Sequence, residues 1–287
     1  MNPVFSDVEV PGGALRVARF GTGPRLIVAV HGITASLMAW NAVARRLPAE
    51  WSLVAMDLRG RGHSAGLPGP YGLRRQAEDV NLVARSVGAE SDLVLTGHSM
   101  GAYVAVLAAA GHDYARVVMI DGGLPLPLLP GLDPDETLNT TLGPALARLS
   151  QTFPSTGAYV DFFKAHPAFA GNWNDEVEEY VLYDAVGPEG EVRSRVRQEP
   201  IRQDGRWLLT EGEAVAAALH AVKSPLSLLR APRGLLDQPV GMIPDELAAA
   251  WREQLPALED DLVEDCNHYT ILFQDRCASL VARHLTR

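Results

Sequence analysis

The chain has 287 residues, of which 47% are hydrophobic and 21% charged, and this balance favours a folded protein with a large buried core over a disordered chain. Its formal net charge of -10 argues against binding to nucleic acid or to an anionic membrane surface, because both attract basic patches. The two cysteines, Cys266 and Cys277, are too few for a disulfide framework and lack metal-ligand spacing, and no apolar stretch approaches the ~18 residues of a membrane helix.

Short apolar strands alternate with helical patterns along the first part of the chain. A hairpin signal at Gly12 and Gly13 joins two predicted strands, Val4–Val10 and Ala14–Phe20. The next predicted strands are continuously apolar, as expected for strands buried on both faces of a sheet: Leu26–Val30, Leu53–Met56, Leu93–Thr96 and Val117–Ile120. Helical spacing is found between and after them at Ser36–Leu47, Tyr71–Val87 and Ser99–Ala110. This alternation predicts an α/β fold with a doubly wound, mostly parallel sheet.

The pattern changes after Gly122, and no parallel strand is predicted before Arg206. This segment opens with a leucine- and proline-rich run that excludes a regular helix and continues with helical patterns: Leu124–Pro130, then Pro134–Leu149, Thr156–Ala165 and Asn174–Val186. Helices and strands of the sheet are then predicted in the order Glu211–Val222, Leu226–Leu229 (strand), Pro244–Leu255, Leu262–Glu264 (strand) and Ile271–Leu285. We therefore expect a body formed by residues 1–122 and 207–287, interrupted by a helical cap at 123–206.

The motif Gly97-His98-Ser99-Met100-Gly101 matches G-x-S-x-G and lies between a buried strand and an alanine-rich helix. This is the strand–turn–helix context of a nucleophile elbow. The two glycines leave room for the chain to cross itself, and the helix N-terminus directs backbone N–H groups toward a developing oxyanion. The motif therefore predicts Ser99 as a catalytic nucleophile.

With this motif and two others, the chain resembles the α/β-hydrolase superfamily, in the branch that carries a helical cap, over almost its whole length. His31-Gly32-Ile33-Thr34 follows the third predicted strand, where the family carries its oxyanion motif. The resemblance implies that backbone N–H groups of Ile33 and Met100 form an oxyanion hole. The loop at residues 57–64 resembles the family's D-x-R-G-x-G-x-S loop, for which a structural role is expected.

The remaining members of a catalytic triad are assigned by position. His268 lies between the last predicted strand and the last helix, where the family has its catalytic histidine, and the resemblance implies that it is the base for Ser99. Asp237 closes a Gly-Leu-Leu-Asp run similar to the family's G-x-x-D after its penultimate strand, with a few extra residues intervening. Asp121 follows the preceding strand, from which some family members take the acid. The sequence favours Asp237 and keeps Asp121 as the alternative.

These residues predict acyl transfer through an acyl-enzyme on Ser99. Because the insert is rich in leucine and aromatic side chains, the expected reaction is hydrolysis of an ester or lactone of a medium-sized, mainly apolar small molecule. Thioester, amide and carbon–carbon bond hydrolysis use the same triad. A non-catalytic protein of this fold that binds a small ligand is the alternative from a different class.

The sequence contains no motif typical of a metal or cofactor site. It contains no H-E-x-x-H motif, P-loop or dinucleotide fingerprint, so no metal and no cofactor is expected, and the expected partner is a small-molecule substrate. The segment Met1–Val10 lacks a basic stretch followed by an apolar run, so the sequence predicts no secretory signal and a cytoplasmic location. The oligomeric state is left open.

Overall fold

A computed structural model of the protein describes residues 2–126, 131 and 133–287. Its strands are β1 (Val4–Val10), β2 (Gly13–Phe20), β3 (Arg25–Val30), β4 (Trp51–Met56), β5 (Leu93–His98), β6 (Arg116–Ile120), β7 (Ala185–Val186), β8 (Arg193–Ser194), β9 (Leu226–Arg230) and β10 (Glu259–Leu262). One sheet has the order β1-β2-β4-β3-β5-β6-β9-β10. β2 pairs antiparallel with both β1 and β4, and every other neighbouring pair in this sheet is parallel. The predicted α/β fold with a mostly parallel sheet is confirmed.

Helices cover both faces of this sheet. They are α1 (Asn41–Ala44), α2 (Leu73–Val87), α3 (Met100–Ala109), α4 (Pro134–Leu149), α5 (Thr156–Lys164), α6 (Asp175–Asp184), α7 (Gln198–Thr210), α8 (Gly212–Ala221), α9 (Asp245–Gln254), α10 (Thr270–Phe273) and α11 (Asp275–Leu285). The residues of β3 show why its sequence is continuously apolar. Val28 and Val30 are buried in the core beneath α2 and α3, whereas Ile27 and Ala29 are buried in the core on the opposite face. Burial of apolar surface on both faces stabilises the central strands.

The chain between β6 and β9 forms helices α4 to α8 and the short β7–β8 hairpin. The helix predicted at Pro134–Leu149 is confirmed as α4 with the same bounds. Sequence analysis missed both the hairpin and α7, and the expected boundary between residues 206 and 207 falls inside α7. Gly205 of α7 packs directly against Leu138 of α4, so the two helices approach closely. Residues 127–130 of the leucine- and proline-rich run lie outside the described residues.

Two elements near the C-terminus differ from the sequence predictions. The last strand runs over Glu259–Leu262 rather than Leu262–Glu264. The helix predicted at Ile271–Leu285 is divided at Gln274, whose backbone is extended, into α10 and α11. No helix in the described part of the chain is long and apolar enough to cross a membrane.

Candidate active site

Ser99 lies at the sharp turn between β5 and α3. Its backbone has φ 55 and ψ -127, a conformation that is strained for a residue with a side chain. A Cβ atom on Gly97 would lie 2.0 Å from the Gly101 carbonyl oxygen, and one on Gly101 would lie 2.2 Å from that of Val30. Only glycine at these two positions lets the turn form. The Ser99 N–H donates to the Ile120 carbonyl at 2.9 Å, which ties the turn to the end of β6.

The two residues expected to form the oxyanion hole lie beside Ser99. Met100 is the first residue of α3, so its N–H is one of the free donors at a helix N-terminus. Ile33 follows Gly32, and a Cβ atom on that glycine would lie only 3.2 Å from the Ser99 Cβ. Ile33, Met100 and Ser99 line one cavity. The loop after β3 and the start of α3 thus meet at the serine.

His268 is held in the loop between β10 and α10, and it lines the same cavity as Ser99. Its backbone N–H donates to the Arg233 carbonyl at 3.0 Å, and its own carbonyl accepts a bond from His98 Nε2 at 2.8 Å. Its Nδ1 lies 2.7 Å from Asp121 Oδ2, and both side chains are buried. A carboxylate accepts but cannot donate, so the hydrogen in this bond is the one on Nδ1 of His268.

The carboxylate that lies against His268 Nδ1 is that of Asp121 and not that of Asp237, the residue favoured by the sequence. Asp121 follows directly on β6, and its second oxygen accepts a bond from the Ala231 N–H at 3.1 Å. Asp237 is instead engaged by Arg233 Nε at 2.7 Å and by Asn267 Nδ2 at 2.9 Å. About 39% of the Asp237 side chain is exposed to solvent, whereas that of Asp121 is buried.

His98 is a positioning residue that sequence reasoning missed, although it lies within the G-x-S-x-G motif. Its ring packs against that of His268 with centroids 4.6 Å apart. Burial, reinforced by the neighbouring His268, lowers the pKa of His98 well below its ordinary value and keeps it neutral. Its bond to the His268 carbonyl ties the histidine loop to the end of β5.

His31, like His98, is a buried histidine that binds backbone groups of the loops near Ser99. Its Nδ1 donates to the Gly32 carbonyl at 2.7 Å, and its Nε2 accepts from the Leu58 N–H at 3.0 Å. Burial lowers the pKa of His31 to about 3, so the ring is neutral and holds the loops after β3 and β4 together.

The cavity in front of Ser99 has a volume of about 310 Å³. Its walls are largely aliphatic and come from α4, α7, α10 and the loops that follow β6 and β9: Leu126, Leu138, Leu142, Leu208, Leu209, Leu235, Met242 and Leu272. Among the described residues that line it there is no Asp, Glu, Lys or Arg. Sequence analysis missed the α7 wall. The signal was the helical spacing of Ile201, Gly205, Leu208 and Leu209.

The described residues contain no group of three or more His, Cys, Asp or Glu side chains that could hold a metal ion. The two cysteines are buried free thiols.

Comparison with known proteins identifies a family and several relatives. A family model described as the alpha/beta hydrolase family matches residues 27–283. N-formylmaleamate deformylase of Pseudomonas putida is 37% identical over 118 residues, which are 40% of this chain and 44% of that protein. Lipase LipV of Mycobacterium tuberculosis is 32% identical over 156 residues, 51% of this chain and 56% of the lipase. The chain thus spans about half the length of the curated relatives that it matches.

Two solved structures resemble the whole chain. E-2-(acetamidomethylene)succinate hydrolase superposes with a TM-score of 0.79 at 22% identity, covering 99% of this chain and 98% of that one. A thioesterase domain from the curacin biosynthetic pathway gives a TM-score of 0.78 at 20% identity, with all of both chains covered. At these identities the resemblance concerns the fold alone.

Proposed function

Because the chain belongs to the alpha/beta hydrolase family, we propose that it is a serine hydrolase with Ser99 as nucleophile, His268 as base and Asp121 as acid. One observation carries the proposal. The 2.7 Å hydrogen bond between Asp121 and His268 uses Nδ1 of the histidine, no bond to its Nε2 is found among the described residues, and His268 lines the same cavity as the strained Ser99 turn. A nucleophile beside a base that is oriented by a third group is the arrangement that nucleophilic catalysis requires.

The proposed reaction proceeds through an acyl-enzyme. His268 Nε2 takes the Ser99 proton as Oγ bonds to the substrate carbonyl carbon, and the N–H groups of Ile33 and Met100 bind the resulting oxyanion. The tetrahedral intermediate collapses, and the leaving alcohol takes the proton from His268. A water molecule then gives a proton to His268 and attacks the acyl carbon. Collapse of this second intermediate releases the acid, and the proton returns to Ser99.

The substrate side of the proposal rests on the cavity. We assign the segment from α4 to α7 to a cap over the catalytic body, because these two helices supply much of the wall that faces Ser99. Aliphatic walls bind apolar groups by removing them from water. The proposed substrate is therefore an ester or lactone with a medium-sized apolar acyl part. Amides and thioesters are included in the test below because named relatives and neighbours include a deformylase and a thioesterase.

The test is turnover by Ser99→Ala and His268→Ala with p-nitrophenyl esters of graded chain length, lactones, a thioester and an anilide. We expect each variant to lose about 10⁴-fold or more in kcat while its circular dichroism is unchanged. His112→Ala, which changes a histidine on the far side of the body, is the control and keeps full activity. Near-wild-type activity in either catalytic variant contradicts the mechanism. Ligand binding without turnover of any substrate by the wild type identifies a binding protein instead.

A further inference from the structure

Arg61 lies in the loop after β4, at a variable position of the D-x-R-G-x-G-x-S pattern, and its side chain is fully buried. Its guanidinium contacts both residues assigned to the oxyanion hole. Nε donates to the Ile33 carbonyl at 3.0 Å, and Nη2 lies 3.9 Å from the Met100 sulfur. Nη1 donates to the Arg59 carbonyl at 2.9 Å. One rigid, planar group therefore spans the loop after β3 and the start of α3.

The guanidinium is itself held by Asp204 of α7. The two form an ion pair, and neither side chain is exposed to solvent. Asp204 also accepts a bond from the Gly72 N–H at 2.5 Å and one from Gln76 Nε2 at 3.0 Å. The residue after it, Gly205, lines the cavity. A helix of the substrate-facing wall is thus connected through one ion pair to the loop that carries Ile33.

A second buried pair in the same loop shows what a purely structural pair looks like. Arg59 binds Asp79 of α2, with both side chains buried. Its remaining bonds go to the Pro68 and Pro11 carbonyls, away from the cavity. Arg61 differs because two of its contacts are with Ile33 and Met100, the residues beside Ser99.

We propose that Arg61 is a positioning residue for the oxyanion hole and that Asp204 holds it in place from α7. The inference rests on the proposed function, since it takes the N–H groups of Ile33 and Met100 as the oxyanion donors. Arg61 acts through geometry rather than through its charge, because the adjacent carboxylate neutralises it. Oxyanion donors must be fixed before the charge develops, so a small displacement of Ile33 weakens transition-state binding more than substrate binding.

The test compares two double variants that each remove a buried charge pair at nearly constant volume. Arg61→Met with Asp204→Asn removes the proposed positioning pair and keeps an acceptor for the Gly72 N–H. Arg59→Met with Asp79→Asn removes the structural pair from the same loop. We expect the first to lower kcat about tenfold or more with KM changed by less than about threefold, and the second to leave kcat unchanged.

A second readout separates positioning from stability. A boronic acid that forms a tetrahedral adduct on Ser99 should bind the Arg61/Asp204 variant about tenfold or more weakly, whereas the carboxylic acid product binds as it does to the wild type. If the double variant does not fold, Arg61→Lys gives the same test, because lysine keeps a charge for Asp204 but not the Nε bond to Ile33. Its expected result is the same fall in kcat and in boronate affinity.

The inference is overturned if Arg61→Lys or the folded Arg61/Asp204 variant keeps wild-type kcat and boronate affinity, or if the Arg59/Asp79 variant loses both equally. These outcomes are distinct from failure of the proposed function, which is read from Ser99→Ala. Turnover that persists without Ser99 removes both ideas, whereas turnover that needs Ser99 but not Arg61 removes only this one.

Discussion

Asp121 has φ 45, a left-handed backbone conformation that an ordinary residue adopts only when its surroundings impose it. Three bonds do so. Its N–H donates to the Leu229 carbonyl at 2.7 Å, one carboxylate oxygen accepts from Ala231, and the other binds His268. Ser99 has the same kind of strain at φ 55. Both ends of the proposed triad are therefore fixed by backbone geometry as well as by side-chain bonds.

We expect Asp121→Asn to lower kcat by about 10³- to 10⁴-fold, because an amide at this position can hold the wrong tautomer of His268 and cannot stabilise its charged form. Asp237→Asn should cost less than about fivefold, since its partners Arg233 and Asn267 do not touch the reacting atoms. The measurement is kcat on the best ester, with thermal unfolding as the check on folding. A larger loss of kcat from Asp237→Asn than from Asp121→Asn would indicate that Asp237, in the loop after β9, is the acid.

Asp57 is buried and accepts bonds from the N–H groups of Leu37 and His63, both at 2.8 Å, and from the Tyr183 hydroxyl at 2.7 Å. Burial nevertheless raises the pKa of Asp57 to about 6. In the unfolded chain this carboxyl loses its proton near pH 4. Between these values the native state binds more protons, so the contribution of Asp57 to the free energy of unfolding falls as pH rises, by up to about 3 kcal/mol.

The prediction is that Asp57→Asn removes this dependence. We expect the difference in unfolding free energy between the wild type and the variant to shift in favour of the variant from pH 4 to pH 6.5, as urea denaturation measures it. Asp161→Asn, which makes the same substitution at an exposed position of α5, is measured beside it as the control. A wild-type-minus-variant difference that is constant with pH contradicts the expected titration.

At the scale of elements, the sequence predicts best where burial alone determines the pattern. The strands β3 to β6 are apolar on both faces, and each was predicted within two residues of its ends. The predicted position of β10 is wrong because this strand lies at the edge of the sheet and its residues, Glu259–Leu262, are mostly acidic. Asp260 there pairs with Arg230 of β9. An edge strand held by a charge pair leaves no hydrophobic signal.

The choice of acid depends on loop geometry that one sequence does not contain. β6 and β9 are adjacent and parallel, with Ile120 paired to Leu229, so carboxylates after either strand reach the same edge of the sheet. Asp121 follows its strand immediately. Asp237 follows at the end of a loop that Arg233 fastens to Asn267 and Pro239. The similarity to the family motif favours Asp237 as the acid, whereas the hydrogen bond to His268 favours Asp121.

The contact between α4 and α7 provides a test of which element sets the cavity. A Cβ atom on Gly205 would lie 2.5 Å from Leu138 Cδ1, and Leu138 lines the cavity. We expect Gly205→Ala to push that side chain inward and to lower kcat/KM for a p-nitrophenyl octanoate about tenfold, with the acetate unaffected.

Gly143→Ala on α4 is the matched control for this experiment, because a Cβ atom there meets nothing within 4 Å. It should leave the ratio of octanoate to acetate activity unchanged. An equal effect of the two substitutions, or a fall in acetate turnover alone, would show that α7 does not set the depth of the cavity.

At the scale of the whole molecule, two features disfavour the binding of negatively charged substrates. The formal net charge is -10, and the described lining of the cavity contains no Lys or Arg. A carboxylate entering such a cavity loses its hydration and gains no counter-charge.

We therefore expect kcat/KM for mono-p-nitrophenyl succinate to be at least about a hundredfold below that for p-nitrophenyl butyrate, an ester of similar size. Added salt should narrow this gap only slightly, because salt screens the long-range repulsion but not the cost of dehydration. Both rates are measured by nitrophenolate release at constant pH. A preference for the succinate contradicts the assignment of an apolar substrate.

With Asp121, which follows β6, as the proposed acid, the loop after β9 supplies no reacting group, yet it contributes Leu235 and Met242 to the cavity wall. Substitution at these two positions therefore changes the wall and leaves the reacting groups in place. Over evolutionary time, the range of accepted acyl groups is free to drift here while the reaction itself is preserved. For the protein engineer, a two-site library at Leu235 and Met242 accordingly explores new substrates with the catalytic residues intact.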